Sequence, residues 1–132
     1  MKRYIILYLT TLIILLPIDF MFLGTLAKDF FQAQVGEMLG PVRMAPAVIF
    51  YLLYVAGIVI FVSAGTSEWQ TALIYGALFG LFCYATFELT SLALLKHWTW
   101  PVVVLDISWG MFVTGTAAAL GLLLTNWIMT KV

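Results

Sequence analysis

Four long apolar stretches dominate the pattern of hydrophobic and polar positions along the chain. They cover residues 4–26, 45–64, 69–95 and 102–128. A helix needs about 20 residues, at a rise of ~1.5 Å each, to cross a hydrocarbon core about 30 Å thick, and each stretch reaches that length. The polar turns at 63–68 and 96–101 are short, so the last three helices should run up and down beside one another. The pattern therefore predicts an all-α fold, an integral membrane four-helix bundle that forms a single transmembrane domain over residues 1–132.

The segment between the first two stretches, residues 28–44, follows a different pattern. It mixes charges, two phenylalanines, two glycines and Pro41 over a length too short to span a bilayer. One interpretation is a short amphipathic interfacial helix that begins around Asp29 and lies on the membrane surface. An irregular connecting loop fits the same pattern.

Composition agrees with a membrane-embedded chain. Of the 132 residues, 64% are hydrophobic and 9% are charged, and the mean hydropathy is +1.12. Ordinary soluble domains carry roughly 25% charged residues, so the bilayer is the expected partner. The formal net charge is zero and no run of like charge occurs, which excludes an electrostatic nucleic-acid-binding surface. Lys2 and Arg3 before the first stretch resemble the start of a secretory signal, but the apolar run continues too far, so we interpret it as a retained first helix.

The orientation in the membrane depends on basic residues near the helix ends. Three of them fall on each side of the predicted bundle: Lys2, Arg3 and Lys131 on one side, and Lys28, Arg43 and Lys96 on the other. Because the first helix usually dominates the orientation, the pair that precedes it favours both termini in the cytoplasm.

Three acidic residues, Asp19, Glu88 and Asp106, fall inside the predicted spans. A charged side chain at the centre of a membrane helix costs roughly 2.5–3.5 kcal/mol on insertion scales, and such residues are rarely kept without a role. The first and third helices end, and the fourth begins, on the same side of the membrane. The three acids therefore lie in one leaflet, within about 7 Å of depth at ~1.5 Å per residue.

The helix faces around these acids supply candidate partners. On the fourth helix, a groove of small side chains begins at Asp106 and would allow close backbone approach; it contains Gly110, Thr114, Ala117 and Gly121. The third helix carries Gly76 and Gly80 on the side that leads towards Glu88. The hydroxyls of Tyr51 and Tyr54 in the second helix could satisfy an acid. The residues predicted to line a polar pocket with the three acids are Tyr54, Tyr84, Ser91, Trp109 and, at its mouth, His97.

Carboxyl groups gathered in low dielectric cannot all stay ionised, so at least one should hold a proton. Such a cluster suits binding or transport of a proton, a cation or a small amphipathic molecule. A lipid-modifying enzyme that uses one acid as general acid and another as base is the alternative, and a structural accessory subunit is a third. Acids that only link helices, at roughly 0.6–2 kcal/mol per contact, would also explain the pattern. Transport by four helices would require a homo-oligomer or a larger membrane complex.

Cofactor chemistry has little support in the sequence, and we predict no cofactor. One histidine and one cysteine, Cys83, cannot form histidine-rich di-iron, haem or thiolate metal sites, and no phosphate-binding glycine motif occurs. No set of residues for nucleophilic catalysis stands out, so an enzyme is the less favoured interpretation. Calcium or magnesium, which bind oxygen ligands, stay open.

Four blocks of the sequence carry a family resemblance: Pro17–Gly24, Ala47–Tyr54, Gly80–Ser91 (GLFCYATFELTS) and Leu105–Gly110 (LDISWG). They resemble a family of short, uncharacterised bacterial inner-membrane proteins, classed only as a domain of unknown function. In that family the third block usually reads Tyr-Asp-Leu-Thr-Asn, where this sequence has Phe-Glu-Leu-Thr-Ser at 87–91. The acid is preserved as Glu88. The resemblance implies a bacterial inner-membrane location and these candidate residues, and it implies no activity.

Overall fold

The computed structural model describes residues 2–24, 33, 44–96 and 98–131 of the chain. Four helices account for nearly all of them: α1 (Lys2–Gly24), α2 (Met44–Ile58), α3 (Trp69–Leu94) and α4 (Trp100–Lys131). No strand occurs among these described residues, and all four helical segments are long and apolar enough to cross a membrane. The predicted all-α four-helix membrane architecture is confirmed. Of the predicted interfacial segment, residues 28–44, the structure describes Ala33 and Met44, the first residue of α2; the rest of the segment and His97 lie outside the described residues.

A π-helical turn, Val59–Ser63, extends α2, and the sequence pattern did not predict it. Its defining hydrogen bond runs from the Ala64 N–H to the Val59 carbonyl oxygen over 2.8 Å. The wider turn shifts the helix face by one residue. Val59, Val62 and Ser63 are buried, while Phe61 between them is 75% exposed.

The tightest helix pair is α3 with α4, and glycines make its close approach possible. A Cβ atom built on Gly80 would collide with the Gly110 carbonyl oxygen and lie 2.9 Å from Thr114 Oγ1. A Cβ atom on Gly76 would lie 3.0 Å from the Gly115 Cα atom. The backbones therefore touch along a strip of small residues, as the sequence predicted for these two faces.

Helix α1 packs on another side of α4, again through small and hydroxyl-bearing residues. The Thr10 hydroxyl hydrogen-bonds the Gly121 carbonyl oxygen at 3.1 Å and the Thr125 hydroxyl at 2.9 Å. A Cβ atom on Gly121 would lie 2.5 Å from Thr11 Oγ1. At the same end of the bundle, Arg3 donates to the Thr66 carbonyl oxygen at 2.9 Å and ties the turn after α2 to α1. Helix α4 is thus central, with α1 and α3 on either side.

Candidate functional site

The three membrane-depth acids lie at a common level of the bundle. Asp19 stands five residues before the end of α1, Glu88 six residues before the end of α3, and Asp106 six residues after the start of α4. At ~1.5 Å per residue, each is about 8–9 Å from its helix end. Since α1 and α3 run in one direction and α4 in the other, those three ends belong to the same end of the bundle.

A cavity of ≈ 360 Å³ lies between all four helices at this level. Its wall contains two acids, seven aromatic side chains and one cysteine: Asp19, Phe22, Phe50, Tyr51, Tyr54, Cys83, Tyr84, Phe87, Asp106 and Trp109. No lysine or arginine is among these lining residues. The volume falls in the range of about 300–1,000 Å³ that is typical of small-molecule sites.

Asp19 is the acid with the most complete set of hydrogen-bond donors. The Tyr51 hydroxyl donates to its Oδ2 atom, and the Trp109 indole N–H donates to its Oδ1 atom over 2.9 Å. The side chain is 5% exposed. Two donors, one on each oxygen, are the arrangement that stabilises an ionised carboxylate.

Asp106 and Glu88 form a pair of neighbouring carboxyl groups within hydrogen-bonding reach. Glu88 is 1% exposed and accepts a hydrogen bond from the Trp98 indole N–H over 2.7 Å. Asp106 is half-buried and reaches the cavity, whereas Glu88 lies behind the wall. Two carboxyls can share a hydrogen bond only when one of them carries a proton, so this pair is a place where a proton can be held.

The aromatic wall is fixed in place by packing. Tyr54 lies stacked between Phe50 and Phe79, at 5.3 and 5.6 Å between ring centroids, and its hydroxyl contacts Thr114 Oγ1 at 2.5 Å. The Tyr84 ring lies so close to Gly110 that a Cβ atom there would overlap it. A glycine at that position lets the ring pack directly on the α4 backbone.

Trp109 connects the wall to the acid. Its ring stacks on Phe22 with centroids 4.2 Å apart and an interplanar angle of 10°. Its N–H is thereby aimed at Asp19. A donor held in this way needs no reorganisation to stabilise negative charge on the acid.

The structure brings most, but not all, of the sequence-predicted residues to the cavity. Asp19, Tyr54, Tyr84, Asp106 and Trp109 line it. Ser91 is buried but is not part of the wall, Glu88 lies behind the wall, and His97 falls outside the described residues.

Sequence reasoning left one polar contact open between two residues and missed another. Of the two tyrosines considered on α2, Tyr51 donates to Asp19, whereas the Tyr54 hydroxyl contacts Thr114. Trp98, for which sequence reasoning predicted no contact with an acid, donates its indole N–H to Glu88. The one available signal for this contact was the position of Trp98, which follows Glu88 by ten residues across a short turn.

The chemistry of the wall favours an organic cation over a metal ion. Among the residues that the structure describes, no group of three or more His, Cys, Asp or Glu side chains is placed to hold a metal. Hard metal cations need six or more oxygen ligands, whereas the faces of aromatic rings attract organic cations directly. Two acids amid seven rings therefore form an electronegative, largely apolar site.

Comparison with known proteins identifies a family. Residues 4–123 match the family described as a predicted membrane protein, DUF2177, and the chain belongs to that family. The resemblance noted in the sequence, to a membrane family of unknown function, is confirmed. No curated protein and no solved structure shows significant similarity to the chain. Since the family description names no activity, function has to be argued from the site.

Proposed function

We propose that this chain is a multi-pass protein of the bacterial inner membrane that binds a small organic cation in the cavity bordered by Asp19 and Asp106. Binding is linked to a proton. The observation that carries the proposal is the cavity of ≈ 360 Å³ inside the spanning region, whose wall, among the residues that the structure describes, holds two acids, seven aromatic rings and no basic side chain. A cation is the ligand whose charge such a wall complements.

The proton linkage follows from the Asp106–Glu88 pair. When the cavity is empty, one proton between the two carboxyls avoids the repulsion of two buried negative charges. A cation beside Asp106 compensates that charge and makes the proton unnecessary. Binding therefore releases a proton, and the affinity for a cation should rise with pH.

A lipid-modifying enzyme fits the same residues less well. General acid and base would both have to contact the substrate. Asp106 reaches the cavity, but Glu88 is 1% exposed and lies behind the wall. Both Asp19 oxygens already accept hydrogen bonds, so a substrate would have to displace a donor to reach either one. Binding requires only that these groups border the cavity, whereas catalysis requires that two of them contact the substrate.

The orientation and assembly are part of the proposal. Lys2 and Arg3 favour both termini in the cytoplasm, so the cavity would lie towards the outer leaflet of the inner membrane. If the bound cation is also transported, a homodimer is the simplest assembly that supplies enough helices.

The proposal can be tested with the purified chain in phosphatidylcholine nanodiscs. Two radiolabelled probes are used, tetramethylammonium and dodecyltrimethylammonium, with empty discs as background. We expect saturable binding of at least one probe, tighter at pH of about 8 than at about 6, because the released proton opposes binding in acid. Asp106→Asn should weaken binding at least about tenfold, because Asp106 is, of the two acids described in the wall, the one without a pair of hydrogen-bond donors.

Matched variants keep the result interpretable. Glu68→Gln changes an exposed acid in the turn before α3 and should leave binding within about twofold. Asp106→Glu preserves the charge and should retain binding. Asp106→Asn should remain folded, as judged by circular dichroism and a single gel-filtration peak, because it removes one of two neighbouring acids. If neither probe binds, or if folded Asp106→Asn binds both as well as the native chain, the cation-binding function is wrong.

A further inference from the structure

The cavity wall also indicates by which route a ligand arrives. Its outer border on α2 is Phe50, 45% exposed, and on α3 it is Phe87, 57% exposed. These two rings belong to different helices, lie at about the depth of the acids and are partly exposed at the surface of the bundle. A side chain that is half exposed within a spanning helix contacts acyl chains, so the cavity is bordered there by lipid and not by water.

The helix arrangement explains why the border is open at this point. Helices α2 and α3 meet closely further along, where a Cβ atom on Gly57 would lie 3.0 Å from the tip of the Phe79 ring and where Tyr54 stacks on that ring. Phe50 precedes Gly57 by seven residues and Phe87 follows Phe79 by eight, which places the border roughly 10–12 Å from the contact. Between the contact and the border, the Tyr54 and Tyr84 rings, with centroids 6.1 Å apart, form part of the cavity wall.

The polar groups lie on the inner side. Asp106 and Trp109 come from α4 and Asp19 comes from α1, so both acids belong to the two helices that do not form the α2–α3 border. A molecule that enters between Phe50 and Phe87 would meet aromatic faces first and carboxylates last. That gradient suits a ligand with a charged head and an apolar tail, oriented head inwards.

We infer that the natural ligand class is a monovalent, hydrocarbon-tailed ammonium compound that enters from the bilayer between α2 and α3. This inference rests on the proposed cation-binding function and specifies its ligand. The head occupies the space beside Asp106 and Asp19, where ring faces and negative charge act together. The tail passes between Phe50 and Phe87 and stays in contact with lipid.

The two nanodisc probes separate this inference from the general function. They share the trimethylammonium head and differ only in the tail. We expect dodecyltrimethylammonium to bind at least about 100-fold more tightly, because the tail concentrates the head in the bilayer next to the opening. Dodecanol, which has the tail without the charge, should compete at least about 100-fold more weakly than the ammonium compound.

Variants at the border test the route. Phe87→Ala should weaken dodecyltrimethylammonium about fivefold more than it weakens tetramethylammonium, since its ring borders the head site for both probes but contacts the tail of only one. Phe82→Ala is the matched control, because Phe82 is 66% exposed on the same helix but is not part of the cavity wall. It should change neither probe. Phe50→Ala should reproduce the Phe87→Ala result from the other side of the opening.

Each outcome decides a different point. If both probes bind equally and Asp106→Asn abolishes both, the cation site stands and the tailed ligand with lateral access is wrong. If Phe82→Ala and Phe87→Ala weaken binding of the tailed probe by the same factor, the loss comes from removing any large side chain that faces lipid, and entry between α2 and α3 is overturned. If neither probe binds, the proposed function itself fails.

Discussion

The two hydrogen bonds to Asp19 allow a quantitative test of whether this acid is ionised. Tyr51→Phe removes only the hydroxyl that donates to Oδ2, and Trp109→Phe removes the N–H that donates to Oδ1. Asp19 is 5% exposed, so bulk water cannot simply replace the lost donor. A charged acceptor that loses a donor inside the bundle should destabilise the fold.

The expected magnitude follows from the kind of hydrogen bond. Bonds to charged groups contribute roughly 1.5–3 kcal/mol, whereas interhelical side-chain bonds in membranes average about 0.6 kcal/mol, with about 1–2 in model peptides. For Tyr51→Phe we expect a loss of about 1.5 kcal/mol. Trp109→Phe should cost about 2–3 kcal/mol, because it also reduces the ring that stacks on Phe22. In an Asp19→Asn background the Tyr51→Phe loss should fall to about 0.5 kcal/mol, since the acceptor is then neutral.

The free energy of unfolding can be measured in mixed micelles of a mild detergent and sodium dodecyl sulfate, with helix content followed by circular dichroism. Tyr75→Phe is the matched control, because Tyr75 is 56% exposed and its hydroxyl should not matter. A Tyr51→Phe loss that is unchanged in the Asp19→Asn background would refute the ionised carboxylate. So would a Tyr51→Phe variant as stable as the native chain.

Two further variants test the packing and the second acid. Gly80→Ala should destabilise the bundle by about 2–3 kcal/mol, because the new Cβ atom would collide with the α4 backbone. Gly65→Ala is its control: a Cβ atom there would have nothing within 4 Å, so the free energy of unfolding should change by less than about 0.5 kcal/mol in the same assay. Trp98→Phe should cost about 1–2 kcal/mol by removing the donor to buried Glu88, and Trp100→Phe, at a 65% exposed ring, should cost nothing measurable. Equal effects within either pair would contradict the corresponding contact.

The helices and their close contacts could be predicted because they depend on properties that are local in the sequence. Span lengths follow from bilayer thickness, and the alternating direction of successive helices puts Asp19, Glu88 and Asp106 at one end without any knowledge of packing. Glycine spacing on α3 and α4 marked the faces that touch. These features follow from helical periodicity and from the contrast between the apolar bilayer core and the water on either side of it.

The individual contacts at the site could not be predicted, because they depend on helix rotation. Tyr51 and Tyr54 are three residues apart and lie on nearly the same face of α2, so a modest rotation decides which hydroxyl reaches Asp19. The π-helical turn at Val59–Ser63 contributes to that rotation, and no local pattern in an apolar run identifies it. Trp98 depends on how a short turn folds back over the end of α3, which periodicity does not determine.

The three acids differ in a way that separates a binding role from simple helix adhesion. Asp19 and Glu88 each accept a hydrogen bond from an aromatic donor and are nearly inaccessible, which is what helix adhesion requires. Asp106 reaches the cavity and has another carboxyl as its neighbour, which is an unfavourable arrangement for an empty site. Buried neighbouring acids persist where a ligand uses them, because function and stability then make opposite demands. Asp106→Asn should therefore leave the empty protein at least as stable as the native chain while it removes binding, a combination that adhesion alone cannot produce.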